Sequence, residues 1–367
     1  MRNLKRREGV DPRIWSFVVL SAAACGGQDD GPRPPYVARA PYASVVFPPT
    51  ETSDVILLDD GTACVIDTYW IRIECREPSG TAFRFGSEGE GPGEFRYPND
   101  IVRGPDSTVG VLDGRLLRMS LFSRKGEFLS SVPGIPRGFR TRNPSVAGGL
   151  IGAFNRRRTT VEVDVATGRV LWERQFPVED DVTACSTPRY GTSRHQLAGG
   201  YSDRAGGLIF VTCYGEFLVR YADRTAPEPS DIVRSTYVER YATEEDVAAE
   251  LRVLDAVRAG GFRPNVTAED IRAEPRVWYG ARLVDDRNRF WAVSHWNWSD
   301  QVFYDESYID MYRLADDGLT FGVTLQVADK VLALDVLGNR LAVFVVRDTG
   351  GVVPEYRVDW YDVSEYE

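Results

Sequence analysis

The sequence predicts an all-β protein built from six copies of a strand–turn–strand unit, and two observations lead to this prediction. An apolar strand, a turn containing Asp or Gly, and a second apolar strand recur from positions 55, 101, 146, 201, 283 and 334. Successive starts are 46, 45, 55, 82 and 51 residues apart, and a period near 40–50 with this content is typical of propeller blades. We therefore predict a single six-bladed β-propeller over 42–367, although length alone suggests two domains.

Charge and histidine content restrict the functions to consider. The 367 residues include 44 Lys and Arg against 54 Asp and Glu, so the formal net charge is −10. Nucleic-acid binding needs a basic surface, and we expect no nucleic-acid partner. The histidines are His195 and His295, which argues against a zinc site built from three histidines.

The N-terminus has the pattern of an export signal. Five basic residues precede an apolar run of 11 residues, 14–24, which is too short to cross about 30 Å of hydrocarbon as a helix. The run ends at Ala22-Ala-Ala-Cys25-Gly26, which resembles the lipobox of bacterial lipoproteins. The resemblance implies cleavage before Cys25 and a diacylglycerol on its thiol; the alternatives are an uncleaved anchor and a wrongly assigned start.

We expect three segments: a signal peptide over 1–24, a flexible tether over 25–41, and the propeller. Removing the signal peptide changes the net charge from −10 to −13, so membrane attachment would depend on the lipid rather than on basic residues. Gly26 stands where an inner-membrane retention signal would have Asp. The expected location is therefore the bacterial cell envelope, at the outer membrane and facing the periplasm or the cell surface.

The long 82-residue interval contains a predicted helical insertion around 243–275. Thr243-Glu-Glu-Asp246 has the form of a helix N-cap, apolar residues recur at helical spacing from Val247 to Val257, and Gly260-Gly261 would end the helix. A second helical turn is expected at 267–270. The apolar stripe favours packing of the helix against the propeller.

One repeat carries a more specific pattern. The motifs Gly91-Pro-Gly-Glu-Phe95, Pro98-Asn-Asp-Ile101 and Leu121-Phe-Ser-Arg-Lys-Gly-Glu-Phe128 are similar to an NHL repeat. We expect its glycines to adopt positive φ angles between blades, and Phe95 and Phe128 to fill the wedge there.

The body as a whole resembles the bacterial six-bladed β-propeller lipoproteins. Asp285 to Trp291 is the nearest counterpart of their Asp-x-x-Gly-x-Trp-Val blade, but Asn288 stands where Gly is expected. Glu355–Tyr361 is the nearest counterpart of their terminal strand of Tyr, Arg and Val. We expect 42–47 to pair with the last blade, because closure of the ring removes exposed sheet edges.

Four cysteines remain once Cys25 is assigned to the lipid. Cys64 and Cys75 lie on opposite strands of a hairpin centred at residues 69–70, close enough to bridge. Pairing by order would also join Cys185 to Cys213, although three connectivities are possible and four reduced thiols are the alternative.

The clearest candidate ligand site is a polar and aromatic loop. Eight aromatic residues fall within 290–312, and we expect Trp291 and, in part, Phe303 and Tyr312 to serve the core. The loop at 294–300 is different, because its polar residues separate its tryptophans. Exposed indoles suit contacts with sugars, peptides or proteins, and the alternative is that both rings cover the inserted helix or a blade edge. The candidate ligand contacts are His295, Trp296, Asn297, Trp298 and Asp300.

Catalytic motifs are absent from the sequence. It contains no Gly-x-Ser-x-Gly, no His-Glu-x-x-His and no phosphate-binding loop. We therefore expect a lipid-anchored binding or scaffold module that recognises an envelope protein, a peptide or a carbohydrate, with no catalytic residue or cofactor assigned. The alternative is a metal-dependent hydrolase or lactonase with one divalent ion in the central channel, and a small-ligand sensor is a third possibility.

Overall fold

The computed structural model describes much of the chain after residue 35. The described residues are 36–50, 54–104, 107–135, 139–144, 149–154, 159–164, 169–175, 198–202, 208–212, 217–223, 225–234, 240–259, 266–273, 275–276, 282–294, 306–315, 318–350 and 353–366. All of them belong to one folded unit, Pro34–Glu367.

Six sheets of four or five strands occur within the described residues, and most strands are antiparallel to their neighbours in chain order. Sheet 1 contains β3 (Ile56–Leu57), β4 (Ala63–Asp67), β5 (Arg72–Arg76) and β6 (Ala82–Phe85). Sheet 2 contains β9 (Pro98–Arg103), β10 (Val109–Asp113), β11 (Arg118–Phe122) and β12 (Phe128–Pro133). Sheet 3 contains β13 (Phe139–Pro144), β14 (Gly149–Phe154), β15 (Thr159–Asp164) and β16 (Val170–Gln175). Between sheets 1 and 2, β7 (Ser87–Glu88) pairs with β8 (Glu94–Phe95).

The remaining sheets include the N-terminal strands β1 (Tyr36–Ala38) and β2 (Ala43–Phe47). Sheet 4 contains β17 (Ala198–Ser202), β18 (Leu208–Thr212), β19 (Phe217–Tyr221) and β20 (Asp231–Arg234). Sheet 5 contains β23 (Arg282–Val284), β24 (Arg289–Ser294), β25 (Glu306–Ala315), β26 (Gly318–Ala328) and β1; sheet 6 contains β27 (Lys330–Leu337), β28 (Arg340–Arg347), β29 (Glu355–Asp362) and β2. A short 3-10 helix, Ser364–Tyr366, follows β29.

The predicted repeats correspond to the first hairpins of five sheets. The repeats starting at 55, 101, 201, 283 and 334 cover the first two strands of sheets 1, 2, 4, 5 and 6. The repeat placed at 146 is displaced, because sheet 3 begins at Phe139 and 149–154 form its second strand. The all-β class is confirmed.

Aromatic side chains fill the contacts between neighbouring sheets. Phe95 is fully buried in a cluster that joins residues of sheets 1 and 2, as predicted. Gly86 has a φ of 78°, and a Cβ there would collide with the Phe95 ring. Phe128 contributes less than predicted: it starts the outermost strand of sheet 2, packs edge-on against Phe122 and is 37% exposed.

The N-terminal strands add to two different sheets. Ala43 to Phe47 pair antiparallel with β29, so sheet 6 combines both ends of the described chain, as expected for ring closure. Residues 36–38, which we assigned to the tether, instead pair in parallel with β26. The ring of Tyr36 also packs on Tyr308, with centroids 5.7 Å apart, so the ordered sheet structure begins inside the predicted tether.

The helical insertion is confirmed. Helices α1 (Glu244–Ala259) and α2 (Ala268–Ala273) lie between the paired strands β21 (Arg240–Tyr241) and β22 (Pro275–Arg276). The buried residues of α1 are clustered with Ile271 of α2, whereas the sequence favoured packing against the propeller. Neither described helix is long and apolar enough to cross a membrane.

Candidate functional site

An exposed aromatic pair stands at the turn between β4 and β5. Tyr69 is 79% exposed and Trp70 is 64% exposed. Their ring centroids lie 5.9 Å apart, with 70° between the ring planes, so the two rings form an open corner. We call Tyr69 and Trp70 the aromatic tip.

The turn that carries the aromatic tip is held by the strand ends beside it. Asp67 is fully buried, and its carboxylate accepts hydrogen bonds from the Trp70 amide at 3.1 Å and from Arg72 Nε at 3.1 Å. Ile71 has a φ of 51°, a left-handed conformation that costs a β-branched residue about 1–3 kcal/mol. The Arg72 guanidinium lies 5.8 Å from the Trp70 ring centroid. These contacts hold the backbone of the turn and place Arg72 against the Trp70 ring.

A disulfide crosses the base of the same hairpin. Cys64 and Cys75 are directly opposite on β4 and β5, and they are joined, with 4.1 Å between their Cα atoms. The turn contains four residues, Thr68 to Ile71, and is centred at residues 69–70 as predicted.

The second sheet repeats this turn without the aromatic residues. Asp113 occupies the position of Asp67, and its Oδ1 accepts hydrogen bonds from the amides of Arg115 and Leu116 at 2.9 and 2.8 Å. Leu117 has a φ of 53°. The backbone strain therefore belongs to the turn, whereas the exposed aromatic pair is particular to sheet 1.

Three arginines surround a buried carboxylate beside the aromatic tip. Glu74 is fully buried on β5. Its Oε1 accepts hydrogen bonds from Arg76 Nε and Nη2 at 3.0 and 2.7 Å, and Arg84 binds both of its oxygens. Arg72 Nη2 lies 4.0 Å from Oε2. We call Arg72, Arg76 and Arg84 the arginine ladder.

Hydrogen bonds join the first turns of neighbouring sheets, which are the turns of the predicted repeats. Asp59 donates its amide to Ser107 Oγ at 3.0 Å and accepts a bond from Arg340 Nη1 at 2.8 Å. Gly338 donates its amide to Asp286 Oδ1 at 3.1 Å. These bonds connect sheets 5, 6, 1 and 2 in succession.

A second set of contacts joins the innermost strands of sheets 1, 2 and 6. Asp335 Oδ2 accepts hydrogen bonds from the Leu57 amide at 2.7 Å and from Arg103 Nη1 at 2.9 Å. Burial raises the pKa of Asp335, and Arg103 opposes that effect. Arg103 also binds the Leu57 carbonyl at 2.8 Å. Because Leu57, Arg103 and Asp335 are each hydrogen-bonded to the other two residues, this arrangement holds the inner strands together.

The Asp285 turn shows why the mismatch at Asn288 is harmless. Asn288 has a φ of 59°, the left-handed conformation that Asn adopts more readily than most residues. Asp285 is buried and accepts hydrogen bonds from Arg289 Nε at 2.6 Å and from Trp291 Nε1 at 2.8 Å. Trp291 is fully buried in the core, as predicted.

Most of the predicted site residues lie outside the described part of the chain. This applies to Cys25, Cys185, Cys213, His295, Trp296, Asn297, Trp298 and Asp300. Their assigned roles stay predictions. Among the residues that the structure does describe, no group of three or more His, Cys, Asp or Glu side chains is arranged to hold a metal ion.

Sequence reasoning used Tyr69 and Trp70 only as the centre of a hairpin and missed them as a site. The available signal was their position, because tight turns favour Gly, Asn, Asp and Pro rather than two adjacent aromatic residues. The arginine ladder was also missed. Its signal was the alternation of Arg72, Glu74 and Arg76, which places three charged residues on one face of a strand.

The chain is similar to several solved structures at low sequence identity. A DUF4221 family member from Bacteroides vulgatus is 12% identical with a TM-score of 0.50, covering 88% of this chain and 97% of that chain. The WD40 repeats of RRP9 are 8% identical with a TM-score of 0.46, covering 88% and 99%. A streptogramin B lyase is 10% identical with a TM-score of 0.40, covering 84% and 78%.

No protein-family model and no curated protein matches the sequence. At these identities, the similarity to solved structures concerns the fold alone. Together with the succession of four- and five-stranded sheets, it identifies the chain as a β-propeller.

Proposed function

We propose that this protein is a lipid-anchored binding or scaffold module of the bacterial cell envelope, with the aromatic tip as a ligand contact. In this proposal the six sheets are the blades of a closed propeller with NHL-like repeats, and Cys25 carries the lipid that attaches it to the outer membrane. The ligand is a protein, a peptide or a carbohydrate. The observation that carries the proposal is the adjacent exposure of Tyr69 and Trp70, at 79% and 64%.

The aromatic tip has the properties of a binding hot spot. Tyr and Trp offer a large contact area with few rotatable bonds, so little conformational entropy is lost when they bind. Asp67 and Arg72 already hold the turn, and the disulfide links its two strands. Preorganisation of this kind favours affinity, because the cost of ordering the loop is met during folding. Trp296 and Trp298 remain predicted as a second contact.

Two features support an extracytoplasmic location. The sequence of residues 1–25 has the pattern of a lipoprotein signal. The Cys64–Cys75 disulfide is of a kind that persists in oxidising compartments and is rare in the cytosol. The expected anchor can be tested by metabolic labelling with a radioactive fatty acid. Label should appear in the wild-type chain and disappear in Cys25→Ala, and equal labelling of both would contradict the anchor.

The binding role is tested with the full chain on arrays of oligosaccharides and peptides. We compare the wild-type protein, the double variant Tyr69→Ala/Trp70→Ala, and the control Tyr42→Ala, which removes a 53% exposed tyrosine that directly precedes β2. Loss of a hot-spot pair costs about 2 kcal/mol or more, which is roughly thirtyfold in affinity. The control should bind like the wild type, and all three should melt at similar temperatures.

Two results would refute the proposed site. One is equal binding by the double variant and the wild type. The other is the absence of any bound saccharide or peptide on either array. Unfolding of the double variant would also count against it, because it would assign both rings to the core.

A further inference from the structure

We infer that the ligand of the aromatic tip is an acidic saccharide, whose carboxylates bind the arginine ladder while its sugar rings pack on Tyr69 and Trp70. This inference rests on the proposed function and adds the chemical class of the ligand. Its basis is the juxtaposition of two exposed rings with three partly exposed arginines on one face of sheet 1.

The ladder follows directly from the register of sheet 1. Arg72, Glu74 and Arg76 alternate along β5 and therefore project to one face of the sheet. Arg84 is the residue of β6 directly opposite Glu74. Arg72 also lies against the Trp70 ring, so the cationic row begins where the aromatic tip ends. From Arg72 to Arg76 it extends about 13 Å, the length of four strand steps.

The face of sheet 1 that holds the arginine ladder has more positive charges than are needed to neutralise its carboxylates. Asp67 and Glu74 supply two negative charges to three arginines. One guanidinium would neutralise Glu74, and a second would neutralise Asp67. On this face of sheet 1 the third arginine leaves one positive charge in excess, in a protein whose net charge is −10. A local excess against an acidic background directs an anionic ligand to this place.

Each arginine side chain is partly exposed. The side chains of Arg72, Arg76 and Arg84 are 26%, 23% and 49% exposed. Glu74 accepts from Nε and Nη2 of both Arg76 and Arg84, and a guanidinium has five donors in a rigid fork. Glu74 accepts no hydrogen bond from Nη1 of either arginine. Arg84, which is half-exposed, is the best placed to bind a ligand carboxylate.

An acidic saccharide matches both the aromatic tip and the arginine ladder, whereas other classes of ligand match only one of them. A neutral polysaccharide offers ring faces to the aromatic corner but gains nothing from the arginines. An acidic peptide such as polyglutamate offers carboxylates without saturated rings that could pack on Tyr69 and Trp70. A polymer of sugar acids supplies both groups in each unit. Contacts between arginine and carboxylate are directional and bidentate, so they add specificity to the less specific ring packing.

The test measures binding of three soluble polymers to the full chain in phosphatidylcholine nanodiscs. The probes are polygalacturonate, dextran and poly-L-glutamate, each at low and at high salt. We expect polygalacturonate to bind at least tenfold more tightly than either other polymer. Its affinity should fall at high salt, because partly exposed charges are screened.

A matched pair of charge variants assigns the effect to the ladder. Arg84→Gln should weaken polygalacturonate binding about fivefold to tenfold, the range expected for one lost charged hydrogen bond. Arg96→Gln removes the same charge from a side chain that is 39% exposed and paired with Glu88 and Glu90. It should bind like the wild type. Arg84→Lys keeps the charge but loses the fork, and an intermediate affinity is expected.

Three outcomes would overturn the inference. Equal binding of dextran and polygalacturonate would leave the aromatic tip as a binding site but remove the acidic class. Binding of polyglutamate as tight as that of polygalacturonate would show that only charge is recognised. Equal effects of Arg84→Gln and Arg96→Gln would place the charge dependence elsewhere. Failure of the proposed function differs from all three, because binding would then be unaffected by Tyr69→Ala/Trp70→Ala.

Discussion

The substitution Phe47→Ala examines whether β2 closes the propeller. Phe47 ends β2 and is only 3% exposed. Its ring packs edge-on against Phe344 of sheet 6, with centroids 6.4 Å apart. The Arg76 guanidinium of sheet 1 lies 5.4 Å from the same ring centroid. Phe47 therefore contacts both sheets at the place where the two ends of the propeller meet.

The expected loss of stability follows from these contacts. Complete burial of a phenylalanine side chain contributes about 3 kcal/mol. The aromatic pair contributes about 1 kcal/mol more, and a partly desolvated cation–π contact adds about 1 kcal/mol. The sum is about 4–5 kcal/mol, which lies within the observed range for Phe→Ala in cores. Such a loss is a large fraction of the stability of most proteins.

The measurement is urea unfolding of the full chain, followed by far-UV circular dichroism. The control is Val46→Ala, which changes the neighbouring residue on the opposite face of the same strand. Val46 is 52% exposed, so its replacement should change the free energy of unfolding by no more than about 0.5 kcal/mol. If Phe47→Ala were as stable as Val46→Ala, β2 would not form this seam in solution and the reasoning would be refuted.

Three further outcomes are expected. Reducing the disulfide between β4 and β5 should lower the free energy of unfolding by about 2–3 kcal/mol, the value for a loop of this length. Urea unfolding with and without reductant measures this difference, and equal unfolding midpoints would contradict the disulfide. Gly86→Ala should lower the free energy of unfolding by more than about 2 kcal/mol, because the new Cβ would collide with Phe95. Gly80 has a φ of 93° but no atom within 4 Å of an added Cβ, so Gly80→Ala should lower the free energy of unfolding by only about 1 kcal/mol. Hydrogen bonds from Thr267 lower the pKa of Asp270, so the cap of α2 is fully formed above the ordinary Asp pKa and weakens as the pH falls through the lowered value. Hydrogen-exchange protection factors of the α2 amides, which correct for the intrinsic pH dependence of exchange, should therefore fall on acidification in the wild type. The same fall in Asp270→Asn would show that another group is responsible.

The fold could be predicted because its turns carry local signals. Asp285, Asn288 and Gly338 occupy positions where a short turn needs a capping carboxylate or a positive φ, and such needs are visible in a single stretch of sequence. The helical insertion was predictable for the same reason. Thr267 and Asp270 cap each other with bonds of 2.8 and 3.2 Å, a contact between residues three positions apart.

The candidate site was harder to predict because its members gain their role from neighbours on other strands. Glu74 and Arg84 are ten residues apart and meet only because β5 and β6 pair in one register. Phe128 has the same residue type as Phe95, yet one lies on an outer strand and the other between two sheets. Residue type and spacing are alike in such cases, while burial depends on the position of the strand in its sheet.

The sequence by itself determined the all-β class, the positions of five of the predicted repeats, the place of the insertion and the pairing of 43–47 with the last strand. Each depends on local backbone preference or on the period of apolar residues, and both are properties of short segments. Only the tertiary structure decided that 36–38 join sheet 5, that Tyr69 and Trp70 remain exposed, and that three arginines meet at Glu74. These depend on which strands become neighbours, and the free energy of such contacts is realised only when distant segments of the chain pack together.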